Sequence, residues 1–292
     1  MTASAVQAHP TSMPVRVPAV ASLALKRLFS AGVTNASVLG LSSRAVWLSA
    51  GGDVAVVTTR DATRLPNGVE IAATSGTRLL ESVAYGASVA VGPDWIHFEG
   101  LHVDLVRWWD PLPALPHTTT DDLGVAIVGL PHSVPGVDLG PLGSALAGSS
   151  SNDLVDASLA LLGRGPGLTP EGDDVLAGAL AATRSFATAL GSSPAPAMLD
   201  AAEGALIDVA TRRTTMFSAA LIRCALRGEV AAPAGAFIRA LAGRGDVGAN
   251  HRALLRVGHT SGPALAAGIA LGAHSLIEAQ PHPTEVSNDY SG

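Results

Sequence analysis

The chain has 292 residues, 48% of them hydrophobic, enough for a sizeable core in one large or two modest domains. Lys and Arg number 18 against 24 Asp and Glu, a net charge of −6 with no basic block, which argues against nucleic acid or a membrane surface as the main partner. A single cysteine, Cys224, excludes an intramolecular disulfide framework, and no CxxC or Cys/His spacing suggests structural zinc; such a chain suits a reducing cytoplasm.

Residues 1–18 lack the charged-then-apolar order of a signal peptide and read as a disordered tail, as do residues 279–292. Residues 19–135 are expected to form a β-rich domain. It opens with an amphipathic helix at "AVASLALKRLFS". Short Val/Ile-rich segments follow: "ASVLGLSSRAVWLSA", "DVAVVTT", "GVEIAATS", "SVAYGASVAVG", "WIHFEGLHVDLV" and, after a Pro-punctuated connector, "GVAIVGL". "GGD" and "PNG" mark turns, because Gly and Asn tolerate positive φ.

Residues 150–278 read as an α-helical domain of about six segments, several with Pro or Ser at the start and Gly at the end. "PAPAMLDAAEGALIDVATRRTTMFSAALIRCALRGE" is long enough for one bent helix or two. "SGPALAAGIALGAHSLIE" is short for a membrane span and rich in Ala and Gly, so it reads as a buried helix. The expected fold class is α+β, a β-rich N-terminal part packed against an α-helical C-terminal bundle.

The chemistry concentrates at "GRGPGLTPEGDD", residues 163–174. Thr169 as N-cap, Pro170 at the first helical position and Glu171, Asp173 and Asp174 in the first turn make a sound helix start by themselves. The glycines before them ask for more. Gly165 and Gly167, with Gly163, let the backbone bend sharply so that N–H groups cradle a small anion at the helix end. The spacing is neither a Walker loop nor a dinucleotide fingerprint. Asp173 is the candidate ligand for Mg²⁺, and since adjacent helical side chains diverge by about 100°, only one of Asp173 and Asp174 is expected to face the site. Along "TRRTTMFSAALIRCALRG", Thr211, Thr215 and Ser218 fall on one helical face as a hydroxyl stripe, and Arg213 offers a fork to a carboxylate or phosphate. A third glycine-flanked helix start, "VGHTSGPALAAG", brings Thr260, Ser261 and His259, the last as an acid/base candidate. No GxSxG or HExxH is present, and Cys224 is expected to be buried in its helix.

"GRGPGLTPEGDDVLAG", "RRTTMFSAALIRCALRGE" and "GHTSGPALAAGIALG" resemble, in order and spacing, a bacterial family that includes the smaller subunit of the multi-subunit oxamate carbamoyltransferase of anaerobic allantoin breakdown. "RLPNGVEI" is the most similar piece of the N-terminal half. The resemblance implies cleavage of oxalurate by phosphate to oxamate and carbamoyl phosphate, with other subunits taking part. It also implies that the "GLTP.GDD" stretch, with Leu168 and Gly172, lines the site of a small anionic substrate. Arg164, Glu171 and Ala264 depart from the family's usual residues at those places, so the substrate need not be oxalurate itself. Two other functions compete: a non-catalytic anion-binding or docking subunit, and a stand-alone metal-dependent hydrolase using Asp173 and Asp174. Partner subunits or a homo-oligomer are expected in the first two cases.

Overall fold

The computed structural model describes residues 13–191 and 193–279. Of the tails expected at 1–18 and 279–292, residues 1–12 and 280–292 lie outside the described residues. The chain divides into two units, one reaching Arg64 and resuming at Gly68–Trp109, the other made of Leu65–Asn67 and everything from Asp110 onward. Strands fill the first and helices the second, so the α+β class holds.

The first unit contains β1 (Val15–Ser22), α1 (Lys26–Ser30), β2 (Thr34–Leu41), β3 (Ala45–Ala50), β4 (Asp53–Thr59), β5 (Gly68–Ile71), β6 (Ser88–Gly92), β7 (Trp95–Phe98) and β8 (Leu101–Trp109). They close into a barrel in the order β1-β5-β4-β3-β2-β6-β7-β8, with β8 returning parallel to β1. Among the described residues, closure leaves no open edge in this sheet. Val17, Leu48, Val57, Ile71, Ile96, Phe98 and Leu101 fill the interior, as the small bore of eight strands requires.

Two readings of this region change. Within "AVASLALKRLFS" only Lys26–Ser30 is α-helical, and Ala19–Ser22 ends a strand that begins at Val15, inside the stretch expected to be a tail. Val17, Ala19 and Ala21 alternate inward, and pairing with β5 and β8 overrides the helical preference of Ala and Leu. "GVAIVGL" is not a strand either. Thr119 caps a helix, α2 (Thr120–Ile127), by accepting a hydrogen bond from the Asp122 N–H, and Leu123 and Ile127 share its buried face.

The helical unit continues with α3 (Gly140–Ala147), α4 (Ser151–Leu159), α5 (Glu171–Leu190), α6 (Ala195–Arg213), α7 (Met216–Leu226), α8 (Ala232–Leu241), α9 (Val247–Leu255) and α10 (Ser261–Glu278). The short α3 lies between the segments expected to be structured. At its centre α5 and α10 pack backbone against backbone. A Cβ at Gly268 would collide with the Val175 carbonyl, and one at Gly178 with the Leu265 carbonyl. We expect Gly268→Ala to destabilise the protein by about 1–3 kcal/mol in chemical denaturation, as overpacking does. Gly204→Ala, on open space in α6, should be neutral or stabilising by up to about 1 kcal/mol. Equal effects of the two would contradict this packing.

Candidate functional site

Three helix N-termini converge around Leu168 and Thr169. α5 begins at Glu171, with Pro170 at the cap position, one residue later than expected. Thr169 is thereby freed from capping, and its hydroxyl lies 3.0 Å from that of Ser261, the first residue of α10. Thr215 caps α7, accepting from the Ser218 N–H at 3.0 Å while donating to the Leu168 carbonyl at 2.6 Å. Aligned peptide dipoles at three N-termini favour negative charge near this point.

The two aspartates take different parts. Asp173 is 1% exposed and both its oxygens are engaged: Oδ1 accepts from the Gly163 N–H at 2.8 Å, and Oδ2 from the Thr214 hydroxyl. It ties the glycine loop to the junction between α6 and α7. Gly163 is required there, because its φ is +76° and a Cβ would collide with the Arg213 carbonyl. Asp174 is 4% exposed, but its Oδ2 is buried without a hydrogen-bond partner. Burial pushes its carboxyl up to about 7, with the neighbouring Asp173 and Glu171 adding to the rise; the Ser261 and Thr169 hydroxyls pull the other way. Near neutral pH this group is divided between acid and carboxylate, the range of a working acid–base.

The remaining candidates divide. Gly165, Gly167 and Leu168 form the exposed outer turn, with φ of +110° and +99° at the two glycines. Gly172 is buried under the Leu161 carbonyl and donates its N–H to the Arg164 carbonyl at 2.9 Å. The N–H groups of Gly163, Arg164 and Gly172 are bonded within the unit, so they shape the loop instead of meeting a ligand. The hydroxyl stripe does not form. The helix breaks at Thr214 (φ −134°, ψ −173°), so Thr211 bonds back to the Ile207 carbonyl while Thr215 faces the loop. Ser218 is buried behind Thr215. Arg213, His259 and Thr260 are exposed at the rim, and among the described residues no side-chain hydrogen bond joins them to the loop. Cys224 is buried in α7, and burial raises its thiol well above the usual value. Gly163 is among the glycines expected to bend the loop, but its N–H bond to Asp173 is not foreseen by motif reading, nor is the part of Thr214; the adjacent threonines at a helix break are the signal for the latter.

With both oxygens of Asp173 engaged, Mg²⁺ placed here would rest on Asp174 together with ligand and water oxygens. Among the described residues, no three or more His, Cys, Asp or Glu side chains gather as a metal-binding group.

Residues 161–273, which carry all of these groups, match the family model described as oxamate carbamoyltransferase subunit AllH. The match covers less than half of the 292-residue chain. The matched segment runs from just after α4 through most of α10 and leaves the barrel outside the match. Neither the curated proteins nor the solved structures give a match. Among the described residues, no helix is long and apolar enough to cross a membrane.

Proposed function

We propose that the chain is a subunit of a carbamoyltransferase-type enzyme that acts on a small nitrogenous acid of the oxalurate or oxamate kind, with phosphate or carbamoyl phosphate as co-substrate. The observation that carries this is the buried Asp174 carboxyl, its Oδ2 without a hydrogen-bond partner, beside the Thr169–Ser261 hydroxyl pair where three helix N-termini meet. The family's description supports the reaction class.

In the proposed step a phosphate oxygen attacks the carbamoyl carbon of oxalurate, the C–N bond breaks, and the departing amide nitrogen of oxamate takes a proton. Protonated Asp174 gives that proton and is restored by the proton that the attacking hydrogen phosphate sheds; the reverse reaction runs the same transfers backwards. The Thr169 and Ser261 hydroxyls and the helix N-termini stabilise charge on the tetrahedral oxyanion. No covalent enzyme intermediate is needed. Leu168 and Met216, 54% and 53% exposed beside the loop, favour a site that another subunit covers.

The reading is tested by thermal shift of the full chain with phosphate, carbamoyl phosphate, oxamate and oxalurate. At a hundredfold excess over the dissociation constant, a bound ligand stabilises by about 2.7 kcal/mol. We expect such a shift with at least one of the four and its loss in Ser261→Ala. Shifts absent for all four, both alone and with co-expressed partner subunits, would contradict the proposal.

A further inference from the structure

On the outer face of the barrel, outside the matched residues 161–273 in sequence, two histidines meet. β7 and β8 pair antiparallel with His97 directly across from His102. Their neighbours Ile96, Phe98, Leu101 and Val103 are buried in the barrel interior, so strand alternation sends both imidazoles outward. The two Nδ1 atoms are 3.2 Å apart. His102 Nε2 lies 3.4 Å from Asp104 Oδ1, and Arg16 holds Asp104 in turn, its Nε donating to Oδ2 at 3.1 Å. The Trp95 ring stacks on His102 with centroids 5.7 Å apart.

These contacts fix the His102 ring. A carboxylate at Nε2 favours the proton there and leaves the Nδ1 lone pair as the donor on the side of His97. Two nitrogens at this separation, each about 2.0–2.1 Å from a metal, subtend an angle of roughly 100°, close to tetrahedral. We propose that His97 and His102 chelate a borderline divalent transition cation of the Zn²⁺, Ni²⁺ or Cu²⁺ class, with Asp104 as the outer carboxylate that orients His102. Imidazole nitrogens suit such ions better than Mg²⁺ or Ca²⁺. Water, or a donor atom from a bound molecule, completes the coordination. Arg16 is neutralised by Asp104, so its charge opposes the cation less than its proximity suggests. This site does not depend on the carbamoyl-transfer reading.

Zn²⁺ titration of the full chain by calorimetry tests it. The wild type is expected to bind one equivalent that His97→Ala and His102→Ala each weaken at least about tenfold, and that Asp104→Asn weakens by about tenfold as well. His132→Ala, which breaks the other histidine pair (His132 and His274, ring centroids 4.5 Å apart), should leave it unchanged. Unaltered melting temperatures without metal confirm that the variants fold. The proposal is overturned if His97→Ala and His102→Ala bind Zn²⁺ as tightly as the wild type. Binding that only His132→Ala removes, or none up to about 1 mM Zn²⁺, overturns it equally.

Discussion

Asp174→Asn is expected to abolish transfer while making the protein more stable at pH 8. The wild-type carboxyl is pushed up to about 7 in the fold, chiefly by burial, against about 3.9 in an unfolded chain. A raised carboxyl favours the fold fully only below the unfolded value, and that contribution is lost as pH climbs through the folded one. Ionising Asp174 between pH 4 and about pH 7.5 therefore removes about 4 kcal/mol of stability. Asparagine has the same shape and never ionises, so the variant lacks this component of the pH dependence. Denaturation at pH 4, 6 and 8 for both proteins measures the difference. Parallel stability curves would show that Asp174 is no buried acid.

Asp173→Ala is expected to act in the opposite sense, through the fold. Its carboxylate satisfies the Gly163 N–H and the Thr214 hydroxyl, and removing it leaves both partly buried donors unpaired. Charge-assisted bonds of this kind are worth about 1.5–3 kcal/mol each, so the loss is about 3–6 kcal/mol. Thr214→Val, which removes one of the two bonds, should cost about 1–2 kcal/mol. Added to Asp173→Ala, it should cost almost nothing more, because the pair acts as a unit. Denaturation midpoints of the two single variants and the double variant decide this. Additive losses would contradict the tie between the loop and the α6–α7 junction.

The helical half was largely legible from its residues. Pro and Ser starts, Gly ends and 3.6-residue apolar spacing are local signals, and they mark α4, α5, α8, α9 and α10 closely. "GVAIVGL" was misread because an apolar run of seven has no period of its own, and the Thr119 cap decides it. β1 was misread because Ala and Leu favour helix locally, while barrel closure with β8, some eighty residues away, forms the strand. At the site, the glycines, Thr169 and Ser261 were visible in the sequence. The separate parts of Asp173 and Asp174 were not. They follow from which carboxylate meets Gly163 and Thr214, a contact across about forty residues that motif spacing does not encode. The hydroxyl stripe failed for a related reason: its spacing assumed an unbroken helix, and Thr214 interrupts it.

The most direct measurement is the affinity of oxamate for the full chain at pH 6 and pH 8.5, in the wild type and in Asp174→Asn. Oxamate keeps its charge across that range, so any change belongs to the protein. Protonated Asp174 donates to the anion, whereas ionised Asp174 repels it, so wild-type affinity is expected to fall on the order of tenfold from pH 6 to pH 8.5. The Asp174→Asn variant should bind with little dependence on pH. Wild-type binding that is equal at both values, or a fall with pH that persists in Asp174→Asn, would show that the ligand does not meet Asp174.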